Sequence, residues 1–129
     1  MMQDPRMNAF RATDAFAVEA YRACRAIPKA AGEGLAREIR RTAVRSGGAL
    51  VAASTSRRGG QEERACLERA RTALVESRYY LYLARRFGLL DVKSYRALTL
   101  RQDAALRELA SLLGPAAPRA DRRAEDGAD

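Results

Sequence analysis

The apolar positions after Gln61 keep a strict helical rhythm. Leu67, Leu74 and Leu81 recur every seven residues, and Ala70, Ser77 and Ala84 fill the alternating position. This heptad seam of large and small layers belongs to a helix lying along another helix. It predicts a helix over 61–87, ended by Gly88 in the left-handed conformation. A second seam, Tyr95, Leu98, Ala105, Leu109 and Leu112, widened by Leu106 and Leu113, predicts a helix over 92–113. Asp91 is placed to cap its start, and Gly114-Pro115 stops it. Gln102 interrupts that seam and is expected at a wet or lateral contact.

Upstream, Ala17, Ala20, Cys24 and Ile27, flanked by Phe10 and Phe16, predict a helix over 13–27. Thr13 or Asp14 can cap it, and Pro28 ends it, since proline disfavours helical geometry in the residue before it. A connector, Pro-Lys-Ala-Ala-Gly-Glu-Gly, leads to a helix over 35–54 carrying Leu35, Ile39, Ala43, Leu50 and Ala53. Ser56-Arg57-Arg58-Gly59-Gly60 is the next turn. Four amphipathic helices with short connections predict an all-α, antiparallel up-down-up-down four-helix bundle. The expected organisation is a leader over 1–12, the bundle over 13–113 and a disordered tail over 114–129.

The second helix has two unusual features. Gly47-Gly48 lies in its middle, where each glycine costs about 1 kcal/mol relative to alanine, and predicts a kink or a close backbone crossing. Arg37, Arg41 and Arg45 stack at i, i+4 and i+8, a self-repelling ladder. Glu33 and Glu38 are in reach of the first two, whereas Arg45 has no acid three or four residues away.

Composition narrows the function. The net charge is +8, and residues 14–113 carry all of it: 1–13 contribute +1 and 114–129 contribute −1. A basic folded domain points to an anionic partner, nucleic acid or an acidic protein face. Arginine outnumbers lysine 22 to 2, which a GC-rich genome also produces. There is no histidine, so the usual general base near neutral pH is missing. No Cys, His or carboxylate cluster has metal-ligand spacing, and no cofactor is implied. Cys24 and Cys66 fall among apolar helical positions and read as small buried hydrophobes. The N-terminal stretch MMQDPRMNAF is not a signal peptide, and no apolar run reaches membrane-span length. A non-enzymatic, cytoplasmic protein is expected, with no membrane and no small-molecule substrate.

The stretch AIPKAAGEGLAREIRRTAV, with Pro28, Gly34, Leu35, Arg40 and Arg41, and the stretch ALVESRYYLYLARRFGLLD, with Glu76, Leu83, Ala84, Gly88 and Leu90, occur in a telling order and spacing. Together they resemble bacterial four-helix-bundle proteins first met as reading frames within intervening sequences of large-subunit ribosomal RNA genes. The resemblance spans about residues 10–113. One departure is plain: where that family carries Asn and Glu after the double arginine, this chain has Ala49 and Ala52. Whatever those polar residues do elsewhere does not carry over. The resemblance implies a homo-oligomer, a ring-like pentamer. It also connects to the accessory protein of diversity-generating retroelements, a basic bundle that works with a reverse transcriptase and RNA.

Candidate binding residues follow from the arginine pattern. Arg64, Arg71, Arg78 and Arg85 recur every seven residues beside the leucine seam. Glu68 is within reach of the first two, but Arg78, Arg85 and Arg86 have no acid at neighbouring positions of their own helix. Tyr82 lies four residues from both Arg78 and Arg86. Arginine beside exposed tyrosine grips phosphate and stacks on bases, and it is equally what protein interfaces favour. A plain solvated face is the third possibility. Arg57 and Arg58 form a basic turn, and Arg37, Arg40, Arg41 and Arg45 line the second helix. RNA, a nucleic-acid enzyme such as a reverse transcriptase, and other copies of the chain are the partners these residues suggest.

Overall fold

The computed structural model describes residues 4–114, which form four helices and no strand: α1 Pro5–Cys24, α2 Lys29–Ser54, α3 Gln61–Arg86 and α4 Val92–Leu113. Each packs on its neighbours around a square, α1 on α2, α2 on α3, α3 on α4 and α4 back on α1; the α2–α3 contact is the most extensive. This is the expected antiparallel four-helix bundle. The tail expected from Gly114 onward lies, beyond Gly114 itself, outside the described residues.

Two helix starts differ from the sequence expectation. Helix α1 begins at Pro5, eight residues before Thr13, and the Asp4 carboxylate accepts the Arg6 amide at 2.9 Å. Asp-Pro is itself a start signal: the carboxylate caps and proline is preorganised at the first helical position. Thr13 is therefore no cap but a fully buried residue inside α1. Helix α2 begins at Lys29, with Pro28 as its extended N-cap, so most of the expected connector is helical.

The kink of α2 falls at Gly32 (φ −137°, ψ 15°), not at Gly47-Gly48. A Cβ at Gly32 would lie 2.5 Å from Ile27 Cγ2 and 2.8 Å from Leu89 Cδ1. Glycine there lets the α1–α2 turn close against the α3–α4 turn. Gly47 and Gly48 are regular helix, and a Cβ at either would meet nothing within 4 Å. At the end of α3, Gly88 takes φ +74°, and the Leu89 amide bonds the Ala84 carbonyl at 2.8 Å, a helix stop of the expected kind. Asp91 caps α4 by accepting the Ser94 amide at 2.7 Å. That hydrogen bond, aided by the Ser94 side chain, holds the Asp91 carboxyl below its ordinary pKa.

The leucine seam of α3 faces inward as its spacing requires: Leu67, Leu74 and Leu81 are buried, as are Ala70, Ser77 and Ala84. Phe16, Ile39, Leu98 and Leu109 are further large, fully buried members of the core, and Phe16 is its one fully buried aromatic ring. Gln102 is also fully buried, not wet. Its Nε2 donates to the Leu74 carbonyl at 3.0 Å and to Ser77 Oγ at 2.6 Å, so the polar gap in the α4 seam pins α4 to α3.

At the pole holding the start of α1 and the end of α4, Arg6 and Glu63 form a largely buried ion pair, Nε to Oε2 at 3.3 Å. Asp4, Phe10, Leu50, Leu67 and Leu112 line a cleft of about 440 Å³ beside it. The sequence marked no such cavity, because residues far apart in the chain line it.

Candidate nucleic-acid interface

The candidate residues divide by direction. At 100° per residue, Glu76 and Tyr80 of α3 turn toward α2, whereas Arg78 and Arg85 turn toward α4. Val75, Tyr79, Tyr82 and Arg86 occupy the arc between them, away from the core. Exposure agrees: Val75, Tyr79 and Tyr82 are 54%, 57% and 44% exposed. Tyr79 did not stand out from the sequence as a site residue, although its distance of seven from Arg86 was the available signal.

Arg78 pairs with Asp103 of α4, an acid that no pattern within α3 could reveal. Arg85 donates to the Leu90 carbonyl at 3.2 Å and so ties α3 to the turn that follows it. Both spend their heads on the bundle. Arg86 differs: its guanidinium carbon lies 5.8 Å from the centre of the Tyr82 ring, and Nη1 donates to the Tyr82 hydroxyl at 2.9 Å. Guanidinium and ring form an exposed pair, held by that hydrogen bond and a cation–π contact.

On α2 the acids are shared differently from the expectation. Glu33 pairs with Arg40 at 3.3 Å, not with Arg37. Arg41 forks onto Glu38 Oε1, from Nε at 2.9 Å and Nη2 at 2.6 Å, and lies 3.7 Å from Glu76 across the helix interface. The hydrogen bond to Glu38 is the main cause holding the Arg41 pKa above its ordinary value. Glu76 also accepts the Tyr80 hydroxyl at 2.8 Å, which raises the Tyr80 pKa. Arg37 and Arg45 are exposed and make no ion pair or hydrogen bond among the described residues. Arg45 borders a shallow groove shared with Glu68, Arg69, Thr72 and Glu76.

The Arg41–Glu76 contact sets the register of the antiparallel pair. One turn further along, Arg37 lies level with Tyr80, beside the tyrosine-bearing end of α3. Tyr79, Tyr82 and Arg86 thus share the outward arc of α3, while Arg37 and Arg41 are exposed on the neighbouring α2. Arg57 and Arg58 are not part of that group. They lie at the opposite pole, where Arg58 pairs with Asp4 at 3.3 Å and Arg57 is exposed.

Among the described residues, no group of three or more His, Cys, Asp or Glu could hold a metal ion. Both cysteines are buried and unpaired by disulfide. Burial pushes the Cys24 pKa up, against the lowering effect of Arg40, and Cys24 Sγ lies 3.6 Å from the Ala36 carbonyl. It is a packed thiol. No described helix is long and apolar enough to cross a membrane.

A family described as 23S rRNA-intervening sequence protein matches residues 6–111, from the first turn of α1 almost to the end of α4. The chain belongs to that family. The match takes in all four helices, including the start of α1 that lies outside the region of resemblance read from the motifs. No curated protein matches the chain. This member of the family exposes Tyr79, Tyr82 and Arg86 together on one arc of α3.

Proposed function

We propose that this member of the 23S rRNA-intervening sequence protein family is a cytoplasmic, non-enzymatic, homo-oligomeric bundle that binds RNA through the outer side of its α2–α3 pair. The observation that carries the reading is the surplus of +8 within residues 14–113, with Arg86 unclaimed by any carboxylate beside the exposed Tyr82 and Arg37 unclaimed on the neighbouring α2. Family membership supports it, since the family is described by a ribosomal RNA setting. A reverse transcriptase that itself carries RNA is the protein partner consistent with the same surface. RNA affinity should fall steeply with salt, and the log–log slope should drop by about one for each phosphate contact removed by Arg37→Glu or Arg86→Glu. Filter binding across a salt series measures this; affinity that is absent, or insensitive to salt, counts against RNA.

A specific feature favours self-assembly alongside RNA binding, or a protein-only scaffold in its place. Gly47 and Gly48 sit in a regular stretch of α2, beyond its kink, with no internal neighbour to require them. Val44 and Val51, one turn to either side, are 54% and 53% exposed. Glycines that weaken a helix without serving its own bundle suit the close approach of a helix from another copy, such as the next subunit of a pentamer. On a free surface, Gly48→Ala should stabilise the fold by up to about 1 kcal/mol. If the notch seats a neighbour, Gly48→Leu should lower the mass seen by light scattering while the helical circular dichroism signal persists. An unchanged mass argues that copies meet elsewhere.

A further inference from the structure

We infer that the RNA held on the α2–α3 side is single-stranded, its unpaired bases stacking on Tyr79 and on the Tyr82–Arg86 pair. The inference rests on the RNA reading above and specifies its ligand.

The argument begins with what the surface offers. Two tyrosine rings, one turn apart on α3, are each about half exposed. Helical rise sets their backbones about 4.5 Å apart along the axis, and 100° spacing turns both away from the core. Neither Tyr79 nor Tyr82 is drawn to a carboxylate; the carboxylate on this part of α3, Glu76, is occupied by Tyr80 and Arg41. The Tyr82 hydroxyl accepts from Arg86, which fixes the ring and lays a guanidinium beside it. An exposed aromatic platform with a cation at its side results. Aromatic rings with arginine are what single-stranded nucleic acids stack on, and every base has a face to offer.

A duplex could not use these groups. Its base faces are hidden within the stack, and double-stranded RNA is recognised through rows of phosphates and 2′-hydroxyls. Such rows need many free cations. Here Arg41 is neutralised by Glu38 and Glu76, Arg40 by Glu33 and Arg78 by Asp103. Arg86 is left at the rings, with Arg37 and Arg45 exposed and unpaired on the neighbouring α2. So few free cations beside two rings fit a short single-stranded segment of a few nucleotides.

The test uses the full chain and fluorescence anisotropy, with two probes: a labelled oligouridylate of about 12 nucleotides and a blunt RNA duplex of the same length. The single strand should bind at least tenfold more tightly. Tyr79→Ala combined with Tyr82→Ala should lower that affinity at least tenfold while leaving its salt slope unchanged, because stacking releases no counterions. Tyr79→Phe with Tyr82→Phe keeps the rings and should retain most of the affinity. Equal affinity for the two probes overturns the inference and leaves RNA binding standing, as does full affinity in the double alanine variant. Failure of the unmodified protein to bind either probe rejects the RNA reading itself.

Discussion

Phe16→Ala should lower the unfolding free energy by about 3–5 kcal/mol, the range for deleting a buried phenyl ring. Small domains hold about 5–15 kcal/mol in total, so the loss approaches the whole margin. The reason lies in how α1 is built. Its other fully buried positions are Ala9, Thr13 and Ala20, which bring the backbone close but bury little area. Phe16 is the one large apolar side chain of α1 that is fully buried. Phe16→Leu keeps most of that volume and should cost less than about 1.5 kcal/mol. Urea unfolding followed by circular dichroism, at one fixed chain concentration because assembly shifts apparent stability, measures both. A loss under about 1 kcal/mol for the alanine variant would mean that α1 docks by other means.

Glu63→Ala should be the next most damaging change, at about 3 kcal/mol, because it strands a buried guanidinium. Glu63 accepts the Gly59 amide at 2.9 Å on one oxygen and meets Arg6 on the other. The two side chains are only 12% and 17% exposed, so water does little to replace the lost partner. Arg6 would keep just its hydrogen bond to the Ala53 carbonyl. Arg6→Met in the Glu63→Ala background should then cost little further, since the stranded charge is gone. The check is a double-mutant cycle in urea. Strict additivity of the two changes would show that the pair contributes nothing as a pair.

Most of the bundle was legible in the chain because its signals are local and repeated. The leucine heptads of α3, the caps at Gly88 and Asp91, and the apolar stripe of α4 each follow from a few neighbouring residues. The early start of α1 was legible too, in Asp4-Pro5, but the alanine-rich seam that follows is too faint to draw attention to it. The kink was misplaced for a different reason. Two adjacent glycines look weaker than one, yet Gly32 bends because Ile27 and Leu89 crowd it, and Leu89 is distant in sequence. The candidate interface was half legible. Arginine spacing identified the residues, and Arg86 with Tyr82 does form a pair. What i, i+4 arithmetic could not supply was the acid on another helix: Asp103 takes Arg78, and Glu76 comes within reach of Arg41.

The cleft lined by Asp4 and Leu112 has a further consequence for handling the protein. The first and last helices reach the same pole, while the tyrosine–arginine platform lies toward the far ends of α2 and α3. With 26 residues in each of those helices, the poles are about 39 Å apart at 1.5 Å per residue. Cargo tethered at either flank of the bundle therefore hangs well away from the platform, and joining the two flanks would close the chain into a loop that could be cut at the opposite turns.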